Sequence, residues 1–240
     1  MRRLSPAFYL GHLLLPALLA ALLLWVYPQQ WDLALISPYY DGVQHQFALR
    51  NDFFLNAVMH TGLKSALWFI PLSLLALLLC ARFGGPFFAS SLQPYRRRMV
   101  WILLGLALSA LVVQILKRNS IHACPWDLNL FGGQAPLLPL FADLPSGQSP
   151  GRCLPGGHAS GGFSLLAFYF ALRDEQPRWA LRSLVLALAL GSVMGWGQMM
   201  RGAHFLSHNL WALWWVWLVL LLLYLVYPPI PRQKIAEVLR

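Results

Sequence analysis

Charge is what this 240-residue chain has least of: 11% of its residues are Asp, Glu, Lys or Arg, while 58% are hydrophobic. That balance excludes a soluble globular protein and places the chain in the helical membrane class. Only 8 residues are acidic, and no Asp-rich cluster forms a hard-cation site. Only 3 are cysteine, which excludes a Cys-rich metal centre. The basic residues are not interleaved with aromatics, so nothing points to nucleic acid. No internal repeat and no low-complexity tract is present.

What is there is a series of apolar runs near the length needed to cross a bilayer. Six stand out: Phe8 to Tyr27, Ser65 to Ala81, Met99 to Leu116, Ala159 to Leu172, Ser183 to Met200 and Leu210 to Tyr227. The fourth is short and rich in small residues. The expected fold is an all-α membrane protein of six transmembrane helices, a single domain over residues 1–240. Arg2 and Arg3 precede the first run, but it is long and no small-residue cleavage site follows Tyr27-Pro28, so it reads as a span rather than a signal.

Basic residues set the expected orientation. With both termini cytoplasmic, the inner segments hold Arg2, Arg3, Arg82, Arg96, Arg97, Arg98, Arg173, Arg178, Arg182, Arg232, Lys234 and Arg240, the majority of the 18 basic residues. The outer segments keep Arg50, Lys64, Lys117, Arg118, Arg152 and Arg201. The positive-inside bias favours this arrangement. The formal net charge of +10 mostly reflects it, and also suits anionic membrane lipids.

Two outward loops carry structure of their own. Gln29 to Lys64 contains Trp31, Tyr39, Tyr40, Phe53 and Phe54 and reads as an interfacial segment, with a short amphipathic helix expected over Asn51 to Gly62. The loop from Lys117 to Gly157 is long and rich in proline and glycine; Trp126, Leu128, Leu130 and Phe131 argue for a packed cap. Cys124 and Cys153 share that loop. In an oxidising compartment a disulfide between them is permitted, although sequence separation does not establish the required spacing. Cys80 falls inside the second span. His12, His45, His60 and His122 read as interfacial or packing residues, and Trp211, Trp214, Trp215 and Trp217 as a lipid-facing belt.

The remaining polar residues gather just outside the spans in three short segments: Lys117 to Pro125, Pro155-Gly156-Gly157-His158, and Arg201-Gly-Ala-His204 followed by His208. Ordering such groups near lipid is otherwise costly, so they mark chemistry. Lysine and arginine offer fixed positive charge for a phosphate, Gly156-Gly157 leaves backbone N–H groups open at a helix start, and three histidines supply acid, base or nucleophile. That is a set of groups for phosphoryl transfer. His204 and His208, at i and i+4, have a spacing that can hold zinc, but no glutamate stands between them and no third ligand is evident.

These segments, in this order and at the outer ends of spans, resemble the type-2 phosphatidic acid phosphatase family of membrane lipid phosphatases. That family reads Lys-x6-Arg-Pro, then Pro-Ser-Gly-His, then Arg-x5-His-x3-Asp. Here Lys117 and Pro125 match, with Cys124 in place of the arginine; Gly156 replaces the serine; His204 matches; Gln198 stands at the arginine position and His208 at the aspartate. The motif-bearing core covers about residues 99–227. The resemblance implies that His204 attacks phosphorus to form a phosphohistidine, that His158 protonates the leaving alcohol, and that Lys117 with the Gly156 and Gly157 backbone holds the phosphoryl oxygens.

The departures have candidate compensations. Arg201 shares a broad helical face with Gln198, and Arg118 and Arg152 are further candidates for the missing guanidinium. His208 accepts the hydrogen bond that orients His204 but stabilises the resulting cation less than a carboxylate, so a slower enzyme or an altered pH optimum is expected. No metal or cofactor is implied. The expected substrate is a lipid phosphate such as lipid A, undecaprenyl diphosphate or a glycerophospholipid phosphate, at the periplasmic face of a bacterial inner membrane. Two alternatives stay open: lipid-to-lipid phosphotransfer, and a non-catalytic membrane protein that binds a phosphorylated lipid. The sequence does not indicate an oligomeric state.

Overall fold

A computed structural model describes residues 5–25 and 29–230. Arg2, Arg3, Tyr27, Pro28, Arg232, Lys234 and Arg240, which enter the signal and orientation readings, lie outside the described residues. The chain opens with α1 (Pro6–Tyr9), a π-helical segment Leu10–Leu14 and α2 (Leu15–Trp25). Next come α3 (Gln29–Ile36) and a small antiparallel hairpin of β1 (Tyr40–Asp41) and β2 (Gln46–Phe47), which pairs Tyr40 with Phe47. The second span joins a π-helical segment Phe54–Gly62 to α4 (Leu63–Leu67) and α5 (Phe69–Phe83). α6 (Gly85–Leu92) and α7 (Arg96–Asn119) follow, then the long loop, α8 (Gly157–Ser164), α9 (Leu166–Leu172), α10 (Pro177–Met200) and α11 (Leu206–Val226).

Local chemistry fixes many of these ends. Ser5 caps α1, its hydroxyl accepting from the Phe8 N–H, with Pro6 in the first turn. Pro86 and Pro177 likewise open α6 and α10, where the absent N–H has no intrahelical partner to lose.

Among the described residues, five stretches are long and apolar enough to cross a membrane: Pro6–Leu24, Phe54–Phe83, Gly85–Asn119, Pro177–Met200 and Leu206–Val226. The fourth expected span is instead the short pair α8 and α9, broken at Leu165 and buried at the centre through Ala159, Phe163, Leu166, Ala167 and Phe170. Small residues explain its position. A Cβ on Gly162 would lie 2.6 Å from the Gly191 Cα, so α8 and α10 pack backbone to backbone. The expected separate helix over Asn51 to Gly62 is also revised: that segment leads straight into α4, since no proline interrupts the helical path.

The tryptophans of α11 form a seam rather than a lipid-facing belt. Trp214 donates to the Pro16 carbonyl and Trp217 to the His12 carbonyl, while Trp211 is buried. The indole N–H groups of Trp214 and Trp217 thus find acceptors on the first span, which a lipid-facing position would deny them, while that of Trp211 is buried without a partner among the described residues. At the same end as α1, Arg173 lies over the Phe8 ring at 4.4 Å and contacts His12 Nε2 at 2.9 Å.

At the opposite end the long loop closes as a cap. Ile36, Phe47, Leu128, Phe131 and Phe205 form an apolar cluster separate from the main core. The Trp126 N–H donates to the Gly202 carbonyl, tying the cap to the turn between α10 and α11. Gly202 has φ +76, and a Cβ there would meet the Phe47 ring at 2.2 Å, so the turn is shaped for glycine and held beneath the hairpin.

Candidate active site

The α10–α11 turn presents His204, which is 3% exposed. Its Nδ1 lies 3.3 Å from Cys153 Sγ and 3.5 Å from His208 Nδ1, so the reactive freedom of the ring is on the Nε2 side. At 3.5 Å the His208 contact sits at the outer limit of a hydrogen bond. Burial pushes the His204 imidazole well below its ordinary pKa; His208, Lys117 and His158 add to this, and a hydrogen bond with the Cys153 backbone opposes it. His204 is therefore a neutral ring at physiological pH, as a nucleophile requires.

Cys124 and Cys153 are disulfide-bonded, with Cα atoms 5.2 Å apart. The bridge puts the Cys153 backbone against His204, so part of the orientation that an aspartate at position 208 would supply comes from the chain itself. Cys124, Cys153 and His204 place potential ligand atoms within 4.8 Å of one another. With the two sulfurs bonded together, neither offers the thiolate that zinc takes.

Motifs two and three are joined through the backbone. The Gly156 N–H donates to the His208 carbonyl at 2.8 Å. This corrects the expectation that Gly156 offers its amide to a phosphate, because that donor is already used. The donors left at the start of α8 belong to Gly157 and the residues after it, whose N–H groups have no intrahelical partner. A Cβ on Gly157 would lie 3.6 Å from Lys117 Nζ, so the ammonium stands over this helix start.

His158 follows at once, and its buried Nε2 has no hydrogen-bond partner among the described residues. The charged and titratable groups acting on it are His60, Lys64, Lys117 and Arg201.

The other expected site residues divide. Arg201 is buried; its Nε donates to the Arg50 carbonyl and its Nη1 to Gln198 Oε1, and its charge acts on His60 and His158. Arg118 and Arg152 are exposed, and neither lines the cavity described below.

Two residues absent from the sequence-based site stand beside His158. The His60 ring lies 3.9 Å from the His158 ring, centroid to centroid, and Lys64 follows one helical turn later. Their signal was an imidazole and an ammonium at i and i+4 at the outer end of the second span. A third is Asp32 of α3, whose carboxylate accepts from the Ser207 N–H at 2.9 Å and from the Ser207 hydroxyl, capping α11 from outside its own sequence. Nothing in the sequence pairs Asp32 with Ser207.

A cavity of about 800 Å³ begins at His158 and Lys117; neither His204 nor Arg201 is among its lining residues. Its polar end holds Lys64, Lys117, Gly157 and His158; its walls descend through Leu67, Pro71 and Leu78 on one side and Gln114, Ala110, Ala107 and Val100 on the other. From Lys117 to Val100 along α7, at about 1.5 Å per residue, the depth is about 25 Å, most of a bilayer's hydrocarbon thickness. Ala107 and Ala110 are exposed, so the groove opens sideways.

A family model described as the PAP2 superfamily matches residues 98–232, more than half of the chain. No curated protein and no solved structure matches the chain.

Proposed function

The chain belongs to the PAP2 superfamily, and from that premise we propose that it removes phosphate from a lipid, without metal, through a phosphohistidine on His204. The observation that carries this reading is the cavity: a polar head beside His158 and Lys117 that continues into an apolar groove about 25 Å deep, which fits a phosphorylated headgroup on a long tail. Sideways opening at Ala107 and Ala110 suits arrival from within the bilayer. Its ligand is a lipid phosphate of the lipid A, undecaprenyl diphosphate or glycerophospholipid type.

In the first step Nε2 of His204 attacks phosphorus, the bond from phosphorus to the leaving oxygen breaks, and His158 gives that oxygen its proton. Lys117, Arg201 and the amides from Gly157 onward offset the charge on the phosphoryl oxygens. In the second step His158 takes a proton from water as the water oxygen attacks phosphorus; the P–N bond breaks, phosphate departs and His204 returns to neutrality. The substrate's own negative charge offsets the surrounding cations and lets His158 carry the first proton.

We place this chemistry at the periplasmic face of a bacterial inner membrane, with both termini cytoplasmic and α8–α9 as a sixth, central membrane helix. Arg82, Arg96, Arg97, Arg98, Arg173, Arg178 and Arg182 then lie inside, as the positive-inside bias favours. A second reading, transfer of the phosphoryl group to another lipid, is favoured by the burial of His204, which shields the intermediate from bulk water. The test is phosphate release from purified lipid A, undecaprenyl diphosphate and phosphatidic acid by the parent and by His204→Ala. Release by the parent alone is expected. Normal turnover in His204→Ala refutes the nucleophile, and no release from any lipid refutes the hydrolase reading.

A further inference from the structure

Three potential metal ligands meet where the cap crosses the α10–α11 turn: the sulfurs of Cys124 and Cys153 and a ring nitrogen of His204, all within 4.8 Å of one another. The spacings already suit a tetrahedral cation. Zinc bonds of about 2.3 Å to sulfur and about 2.0–2.1 Å to nitrogen put neighbouring ligand atoms roughly 3.3 to 3.8 Å apart. His204 Nδ1 lies 3.3 Å from Cys153 Sγ and 3.5 Å from His208 Nδ1. The bond between the two sulfurs is what withholds the thiolates.

Breaking that bond leaves the ligands assembled. Residues 120–122 and 151–153 run side by side through backbone hydrogen bonds: the Gly151 N–H donates to the Ile121 carbonyl, Arg152 to Ser120 and Cys153 to His122. The Trp126 N–H, donating to the Gly202 carbonyl, holds the cap on the turn that carries His204. None of these contacts uses a sulfur. Cys124 is half-buried, so a reductant reaches it from solvent, while Cys153 and His204 are buried. The Ala203 carbonyl, 3.1 Å from Cys153 Sγ, is an acceptor that a thiol can use and a disulfide sulfur cannot. Charge agrees as well. Two thiolates balance a divalent cation, so the filled site brings no net charge into buried surroundings.

We infer that reduction turns the bridge into a site for zinc or another thiophilic divalent cation, with Cys124, Cys153 and His204 as ligands and His208 completing the set, and that the filled site switches off the nucleophile. A dithiol gives the bridge two electrons and two protons and becomes a disulfide itself; the cation then displaces both thiol protons. Attack on phosphorus needs a lone pair on His204 Nε2, with the ring proton on Nδ1. A metal at Nδ1 moves that proton to Nε2, so ligation and attack exclude each other. The binding stands apart from the phosphatase reading, and the inhibition rests on it.

The experiment offers Zn2+ to the full chain in detergent, either oxidised or reduced with a phosphine that is then removed, and reads bound metal by equilibrium dialysis. The reduced parent binds zinc about a hundredfold or more tighter than the oxidised parent, a comparison that needs no variant. Cys124→Ser and His204→Ala each lower the reduced affinity about tenfold or more. Zinc raises the melting temperature of the reduced parent and leaves that of the oxidised parent unchanged. Equal uptake by the two states, uptake by neither, unchanged affinity in His204→Ala, or a melting temperature that zinc lowers, the mark of binding to an unfolded chain, overturns the site. Phosphate release from phosphatidic acid is the second arm: zinc stops the turnover of the reduced parent, EDTA restores it, and the oxidised parent is unaffected. Zinc bound with turnover unchanged overturns ligation through His204. If neither state turns over any lipid, the phosphatase reading fails while the binding results still decide the site.

Discussion

Removing the Cys124–Cys153 bridge, by changing both residues to serine, perturbs the fold and the candidate nucleophile together. The bond closes a loop with a sequence separation of 29, for which chain entropy gives about 3.6 kcal/mol of stabilisation. That is an upper bound here, because α7 and α8 stay tethered by detergent in the denatured chain, so a loss of about 2 to 3 kcal/mol is expected. The measurement is denaturant unfolding in detergent, parent against double variant, with thiol labelling under reducing and non-reducing conditions to verify the bond. Activity supplies the second readout. Cys153 touches His204 through its sulfur at 3.3 Å and through its backbone, so loosening it lets the imidazole leave its aim, and displacements of about an ångström lower rates up to about a hundredfold. Lys117 sits on α7 and is not tied by the bridge, so kcat should fall more than KM rises. A stability change below about 1 kcal/mol refutes the loop argument. Lower stability with unchanged kcat refutes the role of the bridge in aiming His204.

Three further outcomes are expected. Burial raises the Asp32 pKa from 3.8 to about 6, so the folded state binds the extra proton; the stability it contributes is fullest below about pH 4 and falls as pH rises through about 6. Asp32→Asn keeps an acceptor for Ser207 and removes that dependence, gaining on the parent by about 3 kcal/mol between pH 4 and pH 7; parallel stability curves would refute this. Ala110→Phe fills the middle of the groove, so activity on long-tailed lipids should fall at least tenfold relative to a short-chain phosphate, and an equal effect on both would show that the tail lies elsewhere. Activity should persist in EDTA, measured as phosphate release; a strict metal requirement would move His204 and His208 from chemistry to ligation.

Helices and motif order were legible because they rest on local signals: apolar length, prolines at helix starts and short fixed spacings. What was not legible depends on approach between distant segments. Gly162 and Gly191 looked like ordinary small residues, yet their contact draws the fourth run into the centre. Gly156 looked like a phosphate donor, and only the fold reveals that its N–H is taken by His208. The tryptophans of α11 suggested lipid because nothing in their own segment names the Pro16 and His12 carbonyls as acceptors. His60 and Lys64 carried a visible i, i+4 pattern, but their value comes from a histidine almost a hundred residues later.

The hydrogen bond from Gly156 to the His208 carbonyl makes the second and third motifs one mechanical piece, while the wall bearing His60 and Lys64 reaches them only through side chains. On the proposed reading, the phosphorus-handling groups and the second-span wall of the groove therefore reside on separable parts. Mutational drift on the second span can retune which headgroup and tail are accepted while the phosphorus-handling piece stays fixed, whereas a shift in either half of that piece carries the other with it. A chain built this way changes clientele readily and changes its reaction with difficulty.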